Sequence, residues 1–420
     1  MAAMLTCYAC GEEYDQRERA RCACGEPLWF EMDDANLEWE TLPDAPGLWR
    51  YKSVLPIDPP TDASREGGDV STVSGDPSRT ALPPVGIASG AGGTPLFRTP
   101  MLDEVAGCTT YLKDEGQNPT GSFKDRGSAV GVTAAAERGR PVGTVSHGNM
   151  AMSMAAHAAS ADITCVVLVP ADISETRLQL ISQYNPLVIR VDGNYGRLYE
   201  RSLELGPELG ISFVNSDSPL RVAGQATTTL EILDEFAPAV PDALVMPVSS
   251  GGHASSAWKA LRDLEAAGVL SSLPTLHFVQ AASSAPIAAA FADDENTVSP
   301  IKGGGTIAYS IGNGDPPSGN RALAAARDTG GRVVAVTDDE IRAATAELAA
   351  RAGACVEPAS ATTLAGTWNL VDDGVINADD DVVLVATGTG FKEDVGQPDS
   401  PESPTVPLKE LEATLKRRID

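Results

Sequence analysis

Short apolar runs alternate along the chain with Ala-rich stretches whose apolar positions are spaced as in helices. Each run is about four to eight residues long and is rich in Val, Ile and Leu, as buried strands are. The predicted strands lie at 142–146, 163–169, 187–191, 211–214, 244–248, 276–279, 333–336 and 382–386. Strands that alternate with helices in this way predict right-handed βαβ units, and therefore an α/β fold built on doubly wound parallel sheets.

The chain of 420 residues is too long for a single hydrophobic core. The pattern breaks between Asn215 and Arg221, where Asp-Ser-Pro interrupts the alternation. We therefore predict two doubly wound domains with a cleft between them. The predicted large domain comprises residues 92–112 and 222–405, the predicted small domain comprises residues 113–221, and residues 406–420 form a tail.

A polar segment separates these domains from the N-terminus. Residues Pro56 to Ser89 are crowded with Pro, Gly, Ser, Thr and Asp, which cannot bury enough apolar surface to form an element of their own. We therefore predict that residues 51–91 are a linker or a long loop, and that residues 1–50 form a separate N-terminal module.

The predicted module carries two cysteine pairs, Cys7 with Cys10 and Cys22 with Cys24, and a glycine follows each pair. The segment resembles two facing zinc knuckles. Four thiolates complete a tetrahedral site, and a segment with so little apolar material needs a metal to order it. We therefore predict a zinc-ribbon-like module with structural zinc. The alternative is a flexible leader with reduced thiols, because Cys-x-Cys is less usual in a knuckle than Cys-x-x-Cys.

The composition is strongly acidic. A formal net charge of -27 repels nucleic acid and anionic membrane surfaces, so neither is an expected partner. Lysine is scarce beside arginine and the acidic residues are spread along the chain, which favours a halophilic protein over an acidic mesophilic one. No run reaches the ~18 to 20 apolar residues of a membrane helix, and the N-terminus lacks the order of a signal peptide, so we expect a cytoplasmic protein.

The segment most specific for chemistry runs from Lys113 to Gly127 and reads Lys-Asp-Glu-Gly-Gln-Asn-Pro-Thr-Gly-Ser-Phe-Lys-Asp-Arg-Gly. It resembles the lysine-bearing motif of the fold-type II pyridoxal phosphate (PLP) enzymes, which include threonine synthase, threonine dehydratase and the tryptophan synthase β chain. The resemblance implies that Lys124 binds the PLP aldehyde. A lysine in a partly desolvated pocket loses proton affinity, which suits it to that bond and to general-base work. Outside such a motif, a lysine between Phe and Asp-Arg is usually a surface residue.

Two turns after predicted strands resemble cofactor-binding turns of the same enzymes. In Ser-His-Gly-Asn, at 146–149, the resemblance implies that Asn149 faces the ring hydroxyl of PLP, whereas an isolated Asn here is commonly a helix N-cap. In the Gly-rich turn after strand 244–248, backbone amides at a helix N-terminus would hold the cofactor phosphate. The residues of that turn are Ser249, Ser250, Gly251, Gly252 and His253.

A third turn, Thr-Gly-Thr-Gly-Phe-Lys at 387–392, follows the last predicted strand. The resemblance implies that the Thr387 hydroxyl faces the pyridine nitrogen of PLP. A hydroxyl cannot hold that nitrogen protonated as an aspartate would, which favours elimination and replacement over transamination. The plainer interpretation is a glycine turn that only closes the strand.

Three further segments resemble threonine synthases more than dehydratases: Gly-Thr-Ile-Ala-Tyr-Ser-Ile-Gly-Asn-Gly-Asp-Pro-Pro at 305–317, Val-Glu-Pro-Ala-Ser-Ala at 356–361, and Asn-Ser-Asp-Ser-Pro-Leu-Arg-Val-Ala-Gly-Gln at 215–225. The resemblance implies a PLP-dependent carbon-oxygen lyase of threonine biosynthesis. The expected reaction turns O-phosphohomoserine and water into threonine and phosphate by γ-elimination and β-addition of water. The family residues that bind the leaving phosphate match Ser146, Asn215 and Arg221 here.

Three departures from the family pattern leave the substrate open. His147 and Met150 stand where threonine synthases have threonines, and Ala226 stands where they have a lysine. The alternatives are a PLP-dependent β-replacement like that of cysteate synthase, dehydration of threonine or serine, and a regulatory paralogue that binds PLP without turnover. The intact Lys124 and Thr387 argue against the last. The sequence leaves open the oligomeric state, a homodimer included, and any allosteric control.

Overall fold

A computed structural model describes residues 4–15, 19–31, 37, 39, 42–60, 86–193, 195–392 and 405–419. The strands within these ranges are β1 (Met4–Cys7), β2 (Glu13–Tyr14), β3 (Leu28–Glu31), β4 (Leu96–Arg98), β5 (Thr109–Asp114), β6 (Val142–Val145), β7 (Cys165–Pro170), β8 (Leu187–Val191), β9 (Ser212–Phe213), β10 (Ala243–Pro247), β11 (Thr275–Ala281), β12 (Val333–Val336) and β13 (Asp381–Ala386). Every strand predicted from the apolar runs corresponds to one of β6 to β13, so the predicted α/β class is confirmed.

The helices fill the intervals between the strands. They are α1 (Pro100–Ala106), α2 (Lys124–Glu137), α3 (Asn149–Ser160), α4 (Glu175–Ser182), α5 (Tyr195–Leu209), α6 (Pro219–Phe236), α7 (Gly252–Ala266), α8 (Pro286–Ala292), α9 (Gly319–Asp328), α10 (Asp338–Ala352), α11 (Pro358–Asp372) and α12 (Leu411–Ile419). None of the helices in the described ranges combines the length and the apolar character that a membrane crossing requires.

The larger sheet has the strand order β12-β11-β10-β13-β5-β4. Its residues alternate between two apolar clusters: Val383 packs in one and Leu384 in the other, as expected for a sheet covered on both faces. The strands from β12 to β5 are parallel, but the edge strand β4 runs antiparallel to β5. The expectation of an all-parallel sheet was therefore wrong at this edge. The short β4, with Phe97 and Arg98 exposed, has no apolar run that would reveal it in the sequence.

The smaller sheet is parallel throughout, in the order β8-β7-β6-β9. All its strands lie between residues 142 and 213, whereas β5 and every strand from β10 onward belong to the larger sheet. Along the chain, helix α2 precedes the strands of the smaller sheet and helix α6 follows them. The two helices pack against each other. Lys124 and Arg221, which lie on these helices, are therefore close in space.

The N-terminal strands form a small antiparallel sheet, β2-β1-β3, that shares its core with the rest of the protein. Trp29 lies in the same apolar cluster as Trp258 of α7, and Phe30 lies in the same cluster as Ala129 of α2. Residues 47–54 form a 3-10 helix, and Tyr51 and Leu55 are buried, so the beginning of the predicted linker is packed. Residues 61–85 of that predicted linker, and residues 393–404 before the tail, lie outside the described residues.

Hydrogen bonds fix the loop that precedes helix α2, and the helix therefore begins at Lys124. Asp125 accepts hydrogen bonds from the amide and the hydroxyl of Thr120, at 2.6 and 2.7 Å. Gly121 adopts a φ of 77°, a conformation that favours glycine. The amide of Phe123 donates to the carbonyl of Thr387 at 3.0 Å. The start of α2 is therefore fixed to the end of β13.

A buried ion network holds the first turn of α2 from the other side. The Arg126 guanidinium bonds the carboxylates of Glu115 and Glu231, and Lys113 also contacts Glu231. Both neighbouring cations help to lower the pKa of Glu231 to about 2, against the opposing effect of burial. Buried charges are tolerated when they are paired and hydrogen-bonded, as these are. The network fixes α2 to β5 and α6, and so fixes the position of Lys124.

Candidate active site and cysteine cluster

A cavity that opens to solvent, with about 480 Å³ of empty space including its open part, lies at the carboxyl ends of β10 and β13, where open α/β sheets bind their ligands. The residues that line it come from distant parts of the chain. They include Phe123, Lys124, Asn149, Ser216, Ser249, Ser250, Gly251, Gly252, His253, Glu357 and Thr387. Every residue that the sequence analysis assigned to the cofactor is in this set.

The amine of Lys124 lies 4.2 Å from the centre of the Phe123 ring. Burial, followed by the nearby Arg221 cation, lowers the pKa of Lys124 from 10.5 to about 7, while Glu357 acts in the opposite direction. A lysine with such a pKa is a competent nucleophile near neutral pH. Among the described residues that line the cavity, Lys124 is the one lysine.

The Gly-rich turn forms the floor of the cavity at the N-terminus of α7. An added Cβ at Gly251 would lie 2.3 Å from the Ser318 carbonyl oxygen, and one at Gly252 would lie 2.2 Å from that of Ser216. A side chain at position 251 or 252 would therefore overlap with the neighbouring backbone, so both positions require glycine. The turn presents backbone amides and the positive end of the helix dipole, which together suit an anion.

His253 lies in the first turn of α7 and its ring stacks on Phe123, with 4.1 Å between the ring centres. It is buried, and neither ring nitrogen has a hydrogen-bond partner within the described residues. Burial, followed by the Lys124 and Arg126 cations, lowers the pKa of His253 well below 6.5. The neutral ring therefore offers an unpaired N–H donor in the cavity, and such donors are rare unless a ligand completes them.

Asn149 and Thr387 are connected by a residue to which the sequence analysis gave no role. Glu357 accepts hydrogen bonds from Asn149 Nδ2 at 2.7 Å and from Thr387 Oγ1 at 2.9 Å. Lys392, also without a predicted role, donates to Asn149 Oδ1 at 2.8 Å. The motifs around Asn149 and Glu357 were visible in the sequence. The contact between these two residues joins positions more than 200 apart and appears only in the fold.

The residues predicted to bind the substrate phosphate lie beside the cavity and outside its lining. Ser146 is buried at the turn before α3, where its hydroxyl accepts from the Gly148 amide at 3.4 Å. Asn215 accepts from the Val145 amide and donates to Ser202. These contacts hold the turn 146–149 in place.

Arg221 lies behind helix α2 and is completely buried. Its guanidinium donates to the Lys124 carbonyl at 3.2 Å and to that of Val214 at 3.3 Å, and its Nε has no partner in the described part of the chain. Burial lowers the pKa of Arg221 to about 9. The structure thus places a cation directly behind Lys124.

His147, one of the departures from the family pattern, contacts the opposite side of the cleft. Its Nδ1 lies 2.7 Å from the Tyr309 hydroxyl, and the Arg177 guanidinium lies 3.4 Å above the Tyr309 ring. Tyr309 adjoins Ser310 and Ile311, which line the cavity. His147 therefore joins the segment 305–317 to the smaller sheet at the cavity entrance.

The four N-terminal cysteines converge on one point. Their sulfur atoms all lie within 4.8 Å of one another, with 3.6 Å from Cys7 to Cys24 and 3.5 Å from Cys10 to Cys22. Four sulfurs at ~2.3 Å from a tetrahedral zinc ion are separated by about 3.8 Å. The cluster therefore has the dimensions of a closed tetrahedral site.

The cysteine cluster docks next to the cavity through Arg21. Arg21 forms an ion pair with Asp217 at 2.7 Å and donates to the Pro317 carbonyl at 3.1 Å. These two residues adjoin Ser216 and Ser318, whose carbonyls pack against Gly252 and Gly251. The loops beside the glycine turn are thus both held by a residue adjacent to Cys22.

The cavity residues fit PLP. Lys124 offers an amine for its aldehyde, the turn 249–253 offers donors for its phosphate, and His253 has buried ring nitrogens without partners. The chain matches the family described as pyridoxal-phosphate dependent enzyme over residues 87–388. It therefore belongs to the pyridoxal-phosphate-dependent enzymes.

Among curated relatives, the chain is 36% identical to a threonine synthase of Methanocaldococcus jannaschii over 396 residues, which are 92% of each chain. It is 35% identical to a threonine synthase of Methanosarcina acetivorans, over 96% of this chain and 95% of the relative. A threonine synthase of Mycobacterium leprae is 39% identical over 76% of this chain and 87% of its own. Within the PLP-dependent enzymes, the chain belongs to the threonine synthase family.

Solved structures share the fold at lower sequence identity. Maize serine racemase aligns with a TM-score of 0.60 and 20% identity, over 78% of this chain and 92% of its own. Threonine deaminase isoform 2 from Solanum lycopersicum aligns with a TM-score of 0.60 and 17% identity, over 77% of this chain and 82% of its own. At these identities the likeness concerns the fold alone.

Proposed function

We propose that the protein is a threonine synthase that converts O-phosphohomoserine and water to threonine and phosphate. The observation that carries the proposal is the convergence of Lys124, Asn149, Thr387 and the turn 249–253 on one cavity. The level of identity to threonine synthases over nearly the whole chain supports the same reaction.

PLP, when bound, delocalises negative charge from a substrate carbon into its ring. Lys124 would hold the cofactor, Asn149 and Thr387 would contact its ring, and Ser249 to His253 would contact its phosphate. Once released, the Lys124 amine would move protons at the substrate Cα and Cβ, while phosphate leaves from Cγ and water adds at Cβ. A pKa of about 7 allows this amine both to accept and to donate a proton near neutral pH.

The substrate phosphate would bind at the turn 146–149, at the N-terminus of α3. Ser146 and the first amides of that helix offer donors there. Asn215 supports the turn through Val145, and Arg221 supplies positive charge from behind Lys124. The Arg221 guanidinium bonds carbonyl and hydroxyl oxygens of Lys124, Val214 and Ser128, with Asp125 as a more distant carboxylate, and this positive charge favours an anion nearby.

Product analysis tests the reaction directly. The purified protein with PLP in high salt is incubated separately with O-phosphohomoserine, O-phosphoserine with sulfite, and threonine, and the products are identified by NMR. Threonine and phosphate from the first substrate support the proposal. Cysteate from the second with none from the first would assign the protein to β-replacement. Only 2-oxobutanoate, from threonine, would make it a dehydratase.

We also propose that Cys7, Cys10, Cys22 and Cys24 bind a structural zinc ion. The separations between their sulfurs support this ion, and four thiolates leave no open position for catalysis. Metal analysis of protein purified without chelators tests it, with one zinc per chain expected. Protein that retains its fold with no metal bound would contradict the assignment.

The acidic composition supports a halophilic enzyme. We further propose a cytoplasmic enzyme, and a homodimer as the assembly to test. Multi-angle light scattering in molar salt tests the assembly, since a homodimer has twice the chain mass of 43.6 kDa. A monomeric mass at all protein concentrations would contradict it.

A further inference from the structure

A buried carboxylate, Glu357, joins the two side chains that the proposed function places against the PLP ring. Its Oε2 accepts from Asn149 Nδ2 and its Oε1 accepts from Thr387 Oγ1. The residue is only 2% exposed and lines the cavity. Glu357 is therefore in contact with both ring-binding residues.

The backbone around Glu357 holds the carboxylate in this place. Its amide donates to the Gly388 carbonyl at 3.0 Å, and Pro358 begins helix α11 directly after it, so the carboxylate lies at a helix N-terminus. An added Cβ at Gly388 would lie only 2.9 Å from the Glu357 carboxyl carbon. The glycine that follows Thr387 is thus needed for the close approach of this carboxylate.

The two neighbours of Asn149 fix the direction of its amide. Lys392 can only donate a hydrogen bond and the Glu357 carboxylate can only accept one, so Oδ1 faces Lys392 and Nδ2 faces Glu357. Oδ1 thus already accepts from Lys392, and Nδ2 retains one hydrogen. Asn149 therefore presents an N–H donor to a ligand in the cavity.

The same reasoning applies to Thr387, whose hydroxyl has a single hydrogen. That hydrogen goes to Glu357 Oε1 at 2.9 Å. The remaining hydroxyl neighbour, Ser360 at 3.1 Å, then acts as a donor to Thr387 or to the Gly388 carbonyl. Thr387 Oγ1 keeps a lone pair and no hydrogen for the cavity, so it can meet a ligand only as an acceptor.

We propose that Glu357 is a positioning residue that makes Asn149 a donor to the PLP ring oxygen and Thr387 an acceptor from the PLP ring nitrogen. The inference rests on the proposed function, since it assumes that both residues contact PLP. An acceptor at the ring nitrogen stabilises its protonated form, and a carboxylate behind the hydroxyl strengthens the acceptor. This differs from the expectation, drawn from the resemblance, that the Thr387 hydroxyl leaves the nitrogen unprotonated.

The test uses holoenzyme reconstituted with PLP that carries ¹⁵N in its ring, because the ¹⁵N chemical shift distinguishes protonated from unprotonated pyridine nitrogen. Wild type should show the protonated shift. Glu357→Gln should move the resonance towards the unprotonated shift and weaken PLP binding at least about tenfold, because a charge-assisted acceptor is lost. Ser360→Ala is the matched control: it removes the other hydroxyl beside Thr387, and should keep the wild-type shift.

Thr387→Val keeps the proposal testable if Glu357→Gln does not fold. It removes the acceptor and leaves the bond from Asn149 to Glu357, so it should also give the unprotonated shift. Combined with Glu357→Gln, it should produce little further change, because the carboxylate acts on the nitrogen through the hydroxyl. An unprotonated nitrogen in wild type, or equal shifts in wild type and Glu357→Gln, would overturn the inference. Absence of PLP binding in wild type would instead remove the proposed function and the inference with it.

Discussion

Lys124 illustrates how surroundings decide what a side chain can do. Its amine lies against the Phe123 ring in the cavity, and the Arg221 guanidinium, which bonds the Lys124 carbonyl, adds a second positive charge nearby. Both disfavour the ammonium form. The surroundings that Phe123 and Arg221 provide therefore lower the pKa of the Lys124 amine, and the lowered pKa makes the amine reactive.

Replacing Lys124 tests its role as the cofactor-binding residue. Lys124→Ala should abolish the visible absorbance of enzyme-bound PLP, because no other lysine lines the described part of the cavity. Absorbance spectra of the reconstituted variant measure this. Lys259→Ala, at a lysine that pairs with Asp263 away from the cavity, is the control and should retain the spectrum. An unchanged spectrum in Lys124→Ala would remove the central assignment.

The rate of PLP capture should depend on pH through Lys124. The amine attacks only when it is unprotonated, so with a lowered pKa the rate should rise with pH through about 7, far below the 10.5 of an ordinary lysine. Stopped-flow absorbance of the apoenzyme mixed with PLP measures the midpoint. Arg221→Met removes the neighbouring cation and should move the midpoint upward. A midpoint above 9 in the wild type would contradict the role of burial.

Arg221→Met also tests the proposed phosphate site. With PLP still bound, kcat/KM for O-phosphohomoserine should fall at least about tenfold, the effect of losing a charge-assisted interaction of ~1.5 to 3 kcal/mol. Dehydration of threonine or serine, which carry no phosphate, should change much less. Equal losses on all three substrates, together with a shifted capture midpoint, would assign Arg221 to Lys124 alone.

At the scale of elements, periodicity identified strands such as β7 and β10 that are buried on both faces, because their apolar runs are continuous. It also identified β8, although Leu187 and Ile189 are exposed. It missed β5, whose sequence Thr-Thr-Tyr-Leu-Lys-Asp has no long apolar run, and β4, where Phe97 and Arg98 are exposed. It also separated the N-terminal segment from the core, because Trp29 and Phe30 find their partners on α7 and α2, which lie far along the chain. Local patterns carry no information about such contacts, or about the meeting of Glu357 with Asn149.

The docking of the cysteine cluster predicts that its integrity affects the cofactor site. Replacing both Cys7 and Cys10 by Ser should lower the unfolding temperature, by roughly 1 °C for each kcal/mol lost in a chain of 420 residues. It should also weaken PLP binding, because Arg21 would no longer hold the loops that contain Asp217 and Pro317. Differential scanning fluorimetry and PLP titration measure the two effects.

Arg21→Met removes the contacts of the N-terminal segment with Asp217 and Pro317 and leaves the four cysteines in place. This variant should weaken PLP binding and leave unchanged the zinc content that we propose for the four cysteines. Arg342→Met, which breaks an exposed pair with Asp339, should change neither quantity. PLP affinity that is unchanged in both the cysteine and the Arg21 variants would show that the cluster stabilises only its own segment.

At the scale of the whole molecule, the net charge of -27 implies repulsion among surface carboxylates. Stability and activity should therefore rise with salt, because the Debye length falls from ≈ 10 Å at 0.1 M to about 3 Å at 1 M. Thermal unfolding and initial rates across a KCl series measure this dependence. Sucrose strengthens apolar burial without screening charge, so it should reproduce little of the rate effect.

A variant with Asp372→Asn, Asp373→Asn and Glu295→Gln, three exposed positions, lowers the negative charge and should show a flatter salt dependence. Equal stability in dilute buffer and in molar KCl would contradict the halophilic interpretation, and it would show that the acidic surface is already compensated by the ion pairs within the fold.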